Sequence, residues 1–201
     1  MKLDPFYLIV DRADWISRLV PLGVKLVQLR IKDLPEVQLR QEIRAAKSVC
    51  ETYGCQLIIN DYWQLAIDEG CDFVHLGQED LAVADLAAIR KGGLKLGLSS
   101  HDSDELEAAL TANPDYVALG PIYATILKKM KWEPQGLEKL RFWKDRISSL
   151  PLVAIGGLNP DRIEGVFNHG ADSAAVVTDI TLHANPEART REWIARTARW
   201  R

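Results

Sequence analysis

Residues 152–170, LVAIGGLNPDRIEGVFNHG, contain a short apolar run, a glycine turn and a helix start in direct succession. Leu152 to Gly156 is nearly all apolar, which predicts a parallel strand buried on both faces. Asn159 is a good helix cap, and Pro160 suits the first position of a helix. We therefore expect a helix from Pro160 through His169. The stretch is one β-α unit.

The same succession occurs eight times along the chain. Apolar residues at helical spacing predict helices over Pro35 to Tyr53 and Ser103 to Ala112, among others. Eight units of about 25 residues each are short but feasible for a (β/α)₈ barrel, with an open doubly wound sheet as the rival fold. We therefore expect an α/β fold, a TIM barrel that forms a single compact domain over residues 1–201. The predicted strands are Phe6 to Val10, Leu26 to Arg30, Gln56 to Asn60, Phe73 to Gly77, Lys95 to Ser99, Tyr116 to Gly120, Leu152 to Gly156 and Ala174 to Val177.

The composition is that of a globular protein, with 47% hydrophobic and 26% charged residues. Lys and Arg number 25 against 28 Asp and Glu, and this acidic balance argues against a nucleic-acid partner. Cys50, Cys55 and Cys71 form no CxxC pair, which predicts buried thiols in a reducing compartment. Neither a targeting segment nor 18 consecutive apolar residues are seen, so we expect a cytoplasmic protein without membrane contact. The sequence leaves the oligomeric state open, a homo-oligomer included.

Polar residues follow the C-terminal ends of the predicted strands, where a TIM barrel builds its active site. Gln28 and Arg30 are two residues apart and share one face of the second strand. Arg30 either forms an internal salt bridge with Asp61 or Asp33, or binds a ligand phosphate. Lys32 favours the second interpretation, because two cations in one site suggest a multiply charged ligand.

Asp61 and Asp80 lie just past the ends of the neighbouring third and fourth strands. Each one alone would be interpreted as a loop residue or a helix cap. Together they place two carboxylates at one part of the barrel mouth, where they repel each other unless a cation lies between them. Mg²⁺ held by one or two carboxylates and by substrate phosphate oxygens is the usual solution, so we expect an Mg²⁺ site.

Three further features each allow two interpretations. Gly156 and Gly157 end the seventh strand, where barrels often bind phosphate, but a plain tight turn is the alternative. The loop over residues 121–132 contains three lysines and no acid, and is either a solvated loop or a phosphate lid. His75, inside a strand, is either a core histidine or a ligand-binding group.

Six segments, taken in order, resemble the motifs of the thiamine phosphate synthase family. The resemblance spans almost the whole chain, and six motifs in order are far more specific than any one of them. The segments are QLRIKD (28–33), IND (59–61), FVHLGQED (73–80), GLSSH (97–101), GPIY (120–123) and VAIGG (153–157).

The resemblance implies a TIM-barrel transferase with Mg²⁺ as its cofactor. Such an enzyme joins an aminopyrimidine diphosphate, 4-amino-5-hydroxymethyl-2-methylpyrimidine diphosphate, to 4-methyl-5-hydroxyethylthiazole phosphate and releases pyrophosphate. Its partners would be these two small phosphorylated substrates. A thiazole tautomerase-like isomerase on the same fold, which should lack the metal carboxylates, is one alternative. A non-catalytic regulatory protein that binds thiamine precursors is another.

The resemblance also implies roles for individual residues. Asp61 and Asp80 would hold the Mg²⁺, and Arg30, Lys32 and Lys128 would stabilise the charge that develops on the leaving group. The substrate-binding residues would be Gln28, Arg30, Lys32, Asn60, His75, Ser99 and Lys128 for the pyrimidine diphosphate, and Thr125, Gly157 and Thr178 for the thiazole phosphate.

The chain departs from the family pattern at three positions. Tyr62 stands where the family commonly has Arg, and Leu127 stands where it often has a second Thr. Asp179 takes the place of the small residue that usually follows the phosphate-binding hydroxyl. A carboxylate is unfavourable beside a phosphate unless it points away or pairs with a cation.

Overall fold

The apolar runs predicted as strands are strands in the computed structural model, which describes residues 2–125 and 132–201. Each strand pairs in parallel with its two neighbours in chain order, and the first strand pairs with the last. The closed ring confirms the predicted TIM barrel and rules out the open sheet. The strands are β1 (Phe6–Val10), β2 (Leu26–Leu29), β3 (Gln56–Asn60), β4 (Phe73–Leu76), β5 (Lys95–Ser100), β6 (Tyr116–Leu119), β7 (Leu152–Ile155) and β8 (Ser173–Val176).

The helices cover the outside of the barrel. Asp102 caps the helix that begins at Ser103, because its carboxylate accepts a hydrogen bond from the backbone N–H of Glu105 at 3.0 Å. The helices of the described residues are α1 (Ala13–Leu19), α2 (Glu36–Tyr53), α3 (Trp63–Asp68), α4 (Gln78–Val83), α5 (Leu86–Lys91), α6 (Ser103–Thr111), α7 (Gly136–Ile147), α8 (Ile163–Asn168), α9 (Thr178–Thr181) and α10 (Pro186–Thr197), with 3₁₀ turns at Val20–Leu22 and Ala198–Trp200.

The start of α8 corrects one prediction. The helix expected from Pro160 begins at Ile163. The Asn159 side chain accepts hydrogen bonds from the backbone N–H groups of Asp161 and Arg162, both at 3.1 Å. This local turn holds residues 159–162 outside the helix, so Asn159 is a turn residue rather than the helix cap.

Two apolar layers enclose the strands, one inside the barrel and one beneath the helices. Alternation along each strand divides the residues between them, so Leu26 lies inside and Val27 outside. The outer layer includes the fully buried Trp143 and Trp193. Gln28, two residues beyond Leu26, is therefore turned into the barrel, and only 2% of its surface is exposed.

The three cysteines are free thiols. Cys50 and Cys55 are buried free thiols, as expected, whereas Cys71 is only partly buried. In residues 2–125 and 132–201, no helix is long and apolar enough to span a membrane.

Candidate active site

Asn60, the last residue of β3, places an amide inside the C-terminal mouth of the barrel. Its side chain is 4% exposed. Within the described part of the chain, its Nδ2 group is buried and has no hydrogen-bond partner. Leaving a buried donor unpaired costs about 1–3 kcal/mol, and native proteins rarely accept this without a reason. The unpaired donor therefore favours a ligand acceptor, such as a phosphate oxygen, beside Asn60.

Asp61 and Asp80 lie side by side at the mouth, as the sequence predicted. Asp61 follows β3 in a left-handed conformation, with a φ of 65°. Its carboxylate pairs with the Lys32 ammonium, which reaches across from the loop after β2. Burial and the neighbouring charge of Asp61 raise the pKa of the Asp80 carboxyl above its ordinary value. A single lysine thus leaves the two carboxylates incompletely neutralised.

The donor set of this carboxylate pair fits Mg²⁺. Carboxylates are hard oxygen ligands, and the pKa of Asp80 is raised by burial and by the adjacent Asp61 carboxylate. No group of three or more His, Cys, Asp or Glu side chains suited to a metal occurs among residues 2–125 and 132–201. Mg²⁺ can be held by one or two protein carboxylates where water and substrate phosphate complete its shell.

Arg30 lies one residue beyond β2 and is half-buried. Asp61 pairs with Lys32 instead. Among the described residues, Arg30 itself takes part in no salt bridge. The internal salt bridge suggested by the sequence is thus not found there, and the guanidinium is available to a ligand. Its charge also reaches His75, whose pKa it helps to lower.

A chain of hydrogen bonds crosses the barrel below this mouth. Gln28 Nε2 donates to the Tyr7 hydroxyl at 2.7 Å, and the hydroxyls of Tyr7 and Tyr116 are 3.0 Å apart. The Tyr116 hydroxyl lies 2.7 Å from His75 Nδ1, and His75 Nε2 lies 2.8 Å from Ser99 Oγ. Burial lowers the pKa of His75 to about 4, so the imidazole is neutral near pH 7.

This chain of hydrogen bonds includes residues that the sequence predicted and residues that it did not. His75 is a core histidine with partners on both ring nitrogens, and its contact with a ligand stays a prediction. Tyr7 and Tyr116 were not predicted from the sequence as part of the site. The available signal was a polar hydroxyl at an inward position of an otherwise apolar strand, as at Tyr7 in FYLIV.

The Gly156–Gly157 pair lets two loops at the mouth pack against each other. The two residues have φ values of 100° and 64°, which favour glycine. A Cβ on Gly157 would lie 2.4 Å from the Ala124 carbonyl oxygen. The backbone N–H of Tyr123 donates to the Gly156 carbonyl at 3.0 Å. The glycine pair therefore forms a tight turn, and a phosphate contact at Gly157 stays a prediction.

Asp179 departs from the family pattern without placing an unpaired charge at the mouth. Thr178 begins α9, and Asp179 is the next residue. Both Asp179 carboxylate oxygens accept hydrogen bonds from the Arg189 guanidinium at 2.8 Å, and one also accepts from Trp193 Nε1 at 2.7 Å. The carboxylate is turned toward α10 and paired with a cation, which relieves the conflict foreseen in the sequence.

Part of the predicted site lies in residues 126–131, outside the described residues. Lys128, Lys129 and the Leu127 departure fall there, and Thr125 is the last described residue before them. The Tyr62 side chain is partly buried against the layer between barrel and helices. The structure thus brings Gln28, Arg30, Lys32, Asn60, Asp61, His75, Asp80 and Ser99 to one side of the mouth, with Gly157 and Thr178 following β7 and β8.

Fold and site together define the class of this chain. It is a TIM-barrel enzyme whose C-terminal mouth combines carboxylates, cations and a buried unpaired donor, a set suited to a phosphorylated ligand. The family model of thiamine monophosphate synthase matches residues 6–180, and the chain belongs to that family.

Named relatives agree with this membership. The chain is 70% identical over 201 residues to a thiamine-phosphate synthase of Rhizobium etli, covering all of this chain and 98% of that protein. It is 47% identical over 192 residues to one of Serratia proteamaculans, covering 96% and 87%. A thiamine phosphate pyrophosphorylase structure from Pyrococcus furiosus shares the fold, with a TM-score of 0.87 at 23% identity over 98% of this chain and 96% of that one. The enzyme is accordingly a transferase with thiamine-phosphate synthase activity.

Proposed function

We propose that this enzyme joins an aminopyrimidine diphosphate to 4-methyl-5-hydroxyethylthiazole phosphate, with Mg²⁺ bound at Asp61 and Asp80. The C–O bond between the pyrimidine methylene and the diphosphate breaks, and pyrophosphate leaves with the electron pair. The thiazole nitrogen then forms the new C–N bond. The family membership supports the overall reaction, and the adjacent carboxylates of Asp61 and Asp80 support this particular form of it.

The described residues suit the binding of the diphosphate. Arg30 and Lys32 provide two cations on the β2 side of the mouth, and the buried Nδ2 of Asn60 provides a donor without a protein acceptor. Bound Mg²⁺ would neutralise charge on the leaving pyrophosphate. Cations held in place before the reaction stabilise that charge without reorganisation, which is the main source of rate enhancement in such sites.

The remaining assigned residues would orient the substrates and exclude water. Gln28 and Ser99 would contact the pyrimidine half of the first substrate, and Lys128 its phosphate end. Thr125, Gly157 and Thr178 would bind the thiazole phosphate. Because pyrophosphate leaves before the thiazole nitrogen attacks, this mechanism needs no protein nucleophile. Orientation of the two substrates in one site is worth several kcal/mol by itself.

The carboxylate pair also separates this proposal from the alternatives. A tautomerase-like isomerase would act on the thiazole phosphate alone and would have no use for two adjacent carboxylates. A regulatory protein would bind the precursors without turnover. The position of Asp61 beside Asp80, with Lys32 in contact, favours the Mg²⁺-dependent transferase.

The test is to incubate the purified enzyme with both substrates, with Mg²⁺ or with EDTA, and to measure thiamine phosphate. We expect product only with Mg²⁺. Asp61→Ala should abolish turnover with an unchanged circular dichroism spectrum, whereas Asp33→Ala, an exposed carboxylate on the nearby loop, should leave it unchanged. Full activity in EDTA or in Asp61→Ala would overturn the metal assignment. Isomerisation of the thiazole phosphate without condensation would favour the tautomerase.

A second test concerns the residues after Thr125. Lys128→Ala should lower turnover far more than Lys129→Ala, because only Lys128 is assigned to the diphosphate. Equal effects of the two substitutions would contradict that assignment.

A further inference from the structure

The hydrogen-bonded chain inside the barrel has one direction, because each hydroxyl has a single proton to give. The Gln28 Nε2 group can only donate, so the Tyr7 oxygen accepts from it. The other partner of the Tyr7 hydroxyl among the described residues is Tyr116, and the Tyr7 proton therefore goes to the Tyr116 oxygen.

The far end of the hydrogen-bonded chain has the same direction. The Tyr116 proton goes to His75 Nδ1, which must then be unprotonated. A neutral imidazole has one N–H, so that proton is on Nε2 and is donated to Ser99 Oγ. Ser99 keeps its own hydroxyl proton for a group outside the chain. At the near end, Gln28 Oε1 accepts no hydrogen bond within the part of the chain that the structure describes.

We propose that Tyr7 and Tyr116 are positioning residues that fix the polarity of both ends of this chain, so that the mouth of the barrel presents an acceptor at Gln28 and a donor at Ser99. Neither tyrosine touches the ligand. Together they prevent the Gln28 amide from rotating and the Ser99 hydroxyl from turning toward His75, since either change would place two donors or two acceptors face to face.

This polarity determines which ligand fits, and the identification of that ligand rests on the proposed function. A ligand must donate a hydrogen bond at Gln28 and accept one at Ser99. An aminopyrimidine diphosphate offers both, with its amino group as donor and its ring nitrogens and phosphate oxygens as acceptors. A ring carbonyl in place of the amino group would weaken binding, because it would place an acceptor against the Gln28 Oε1 acceptor.

Burial explains why the chain of hydrogen bonds keeps one direction. Tyr7 is 1% exposed and Tyr116 is not exposed at all, so water cannot replace a lost partner. Gly97 on β5 makes room for the Tyr116 ring, because a Cβ there would lie 2.1 Å from Tyr116 Cζ. Because His75 Nδ1 accepts the Tyr116 proton and Nε2 donates to Ser99, the two ring nitrogens have opposite roles.

The direct test is the tautomer of His75 in the enzyme without substrates. Long-range ¹H–¹⁵N correlation spectra of histidine-labelled protein distinguish the two tautomers, and the His75→Gln variant identifies the signals. We expect the proton on Nε2, with Nδ1 as a hydrogen-bond acceptor. A proton on Nδ1 would reverse the chain and overturn the proposal. Because this measurement uses no substrate, its outcome is independent of whether the proposed reaction is correct.

Kinetics test the consequence for the ligand. Tyr116→Phe keeps the ring and removes the hydroxyl, and we expect it to raise the KM for the aminopyrimidine diphosphate about ten-fold, the loss of one buried hydrogen bond. The KM for the thiazole phosphate should be unchanged. The control is Tyr53→Phe, a tyrosine that is 45% exposed on α2. An equal change in both KM values, or none in either, would show that Tyr116 serves packing alone.

Discussion

The buried imidazole of His75 should make the metal-free enzyme lose stability in mild acid. Burial lowers the pKa of this side chain from 6.5 to about 4. Between these two pKa values, the His75 side chain is protonated in the unfolded state and neutral in the folded state. The unfolded state therefore binds more protons, and lowering the pH favours it. The contribution to the free energy of unfolding is therefore complete above pH 6.5 and is lost as the pH falls toward 4.

The magnitude follows from the same two values. The full interval corresponds to about 3 kcal/mol, and roughly 2 kcal/mol of it is lost between about pH 7 and about pH 4.5. The assay is urea unfolding in EDTA, followed by circular dichroism at several pH values. Carboxylates also titrate in this range, so the quantity of interest is the difference between wild type and His75→Gln.

The control is His183→Gln, which removes an exposed imidazole after α9. We expect this control to keep the pH dependence of the wild type, whereas His75→Gln should lose about 2 kcal/mol of it. An unchanged pH dependence in His75→Gln would refute the reasoning, because it would mean that His75 is protonated alike in the folded and unfolded states.

Two further substitutions test the packing around the site by urea unfolding. Gly97→Ala should lower the free energy of unfolding by about 1–3 kcal/mol, because the new methyl group overlaps the buried Tyr116 ring; wild-type stability would show that the ring can move. Arg189→Ala should lower the free energy of unfolding by about 2 kcal/mol, because it leaves the mostly buried Asp179 carboxylate without its cation. Arg191→Ala, at an exposed position on the same helix, should lower it by almost nothing. Equal effects of the two substitutions would show that the ion pair does not stabilise the fold.

The sequence was sufficient to predict the barrel, because parallel strands buried on both faces are nearly continuous apolar runs. The structure contains all eight strands, with bounds within about one residue of the prediction. The predicted start of α8 was wrong. Asn159 can either form a local turn or cap a helix, and the local geometry decides between the two. Runs of apolar residues indicate that a strand exists, whereas its ends and its caps depend on three-dimensional contacts.

The candidate site shows the same division. Asp61 and Asp80 could be paired from the sequence, because neighbouring parallel strands end at one edge of the barrel. The hydrogen bond between Tyr7 and Tyr116 could not be predicted, because it joins residues that are 109 positions apart across the barrel interior. Likewise, α10 contains several arginines, and their spacing alone does not tell which one neutralises Asp179.

The closure of the ring has a consequence for folding kinetics. β1 pairs with β8, so the last gap in the barrel joins segments that are far apart in the sequence, and such contacts form slowly. The proposed substrate contacts come from β2, β3, β4, β5, β7 and β8, and so do not exist as a set in any half of the barrel. During refolding, helical circular dichroism should recover first, and catalytic activity should return only when the first and last strands meet. Activity is thus a kinetic reporter of ring closure.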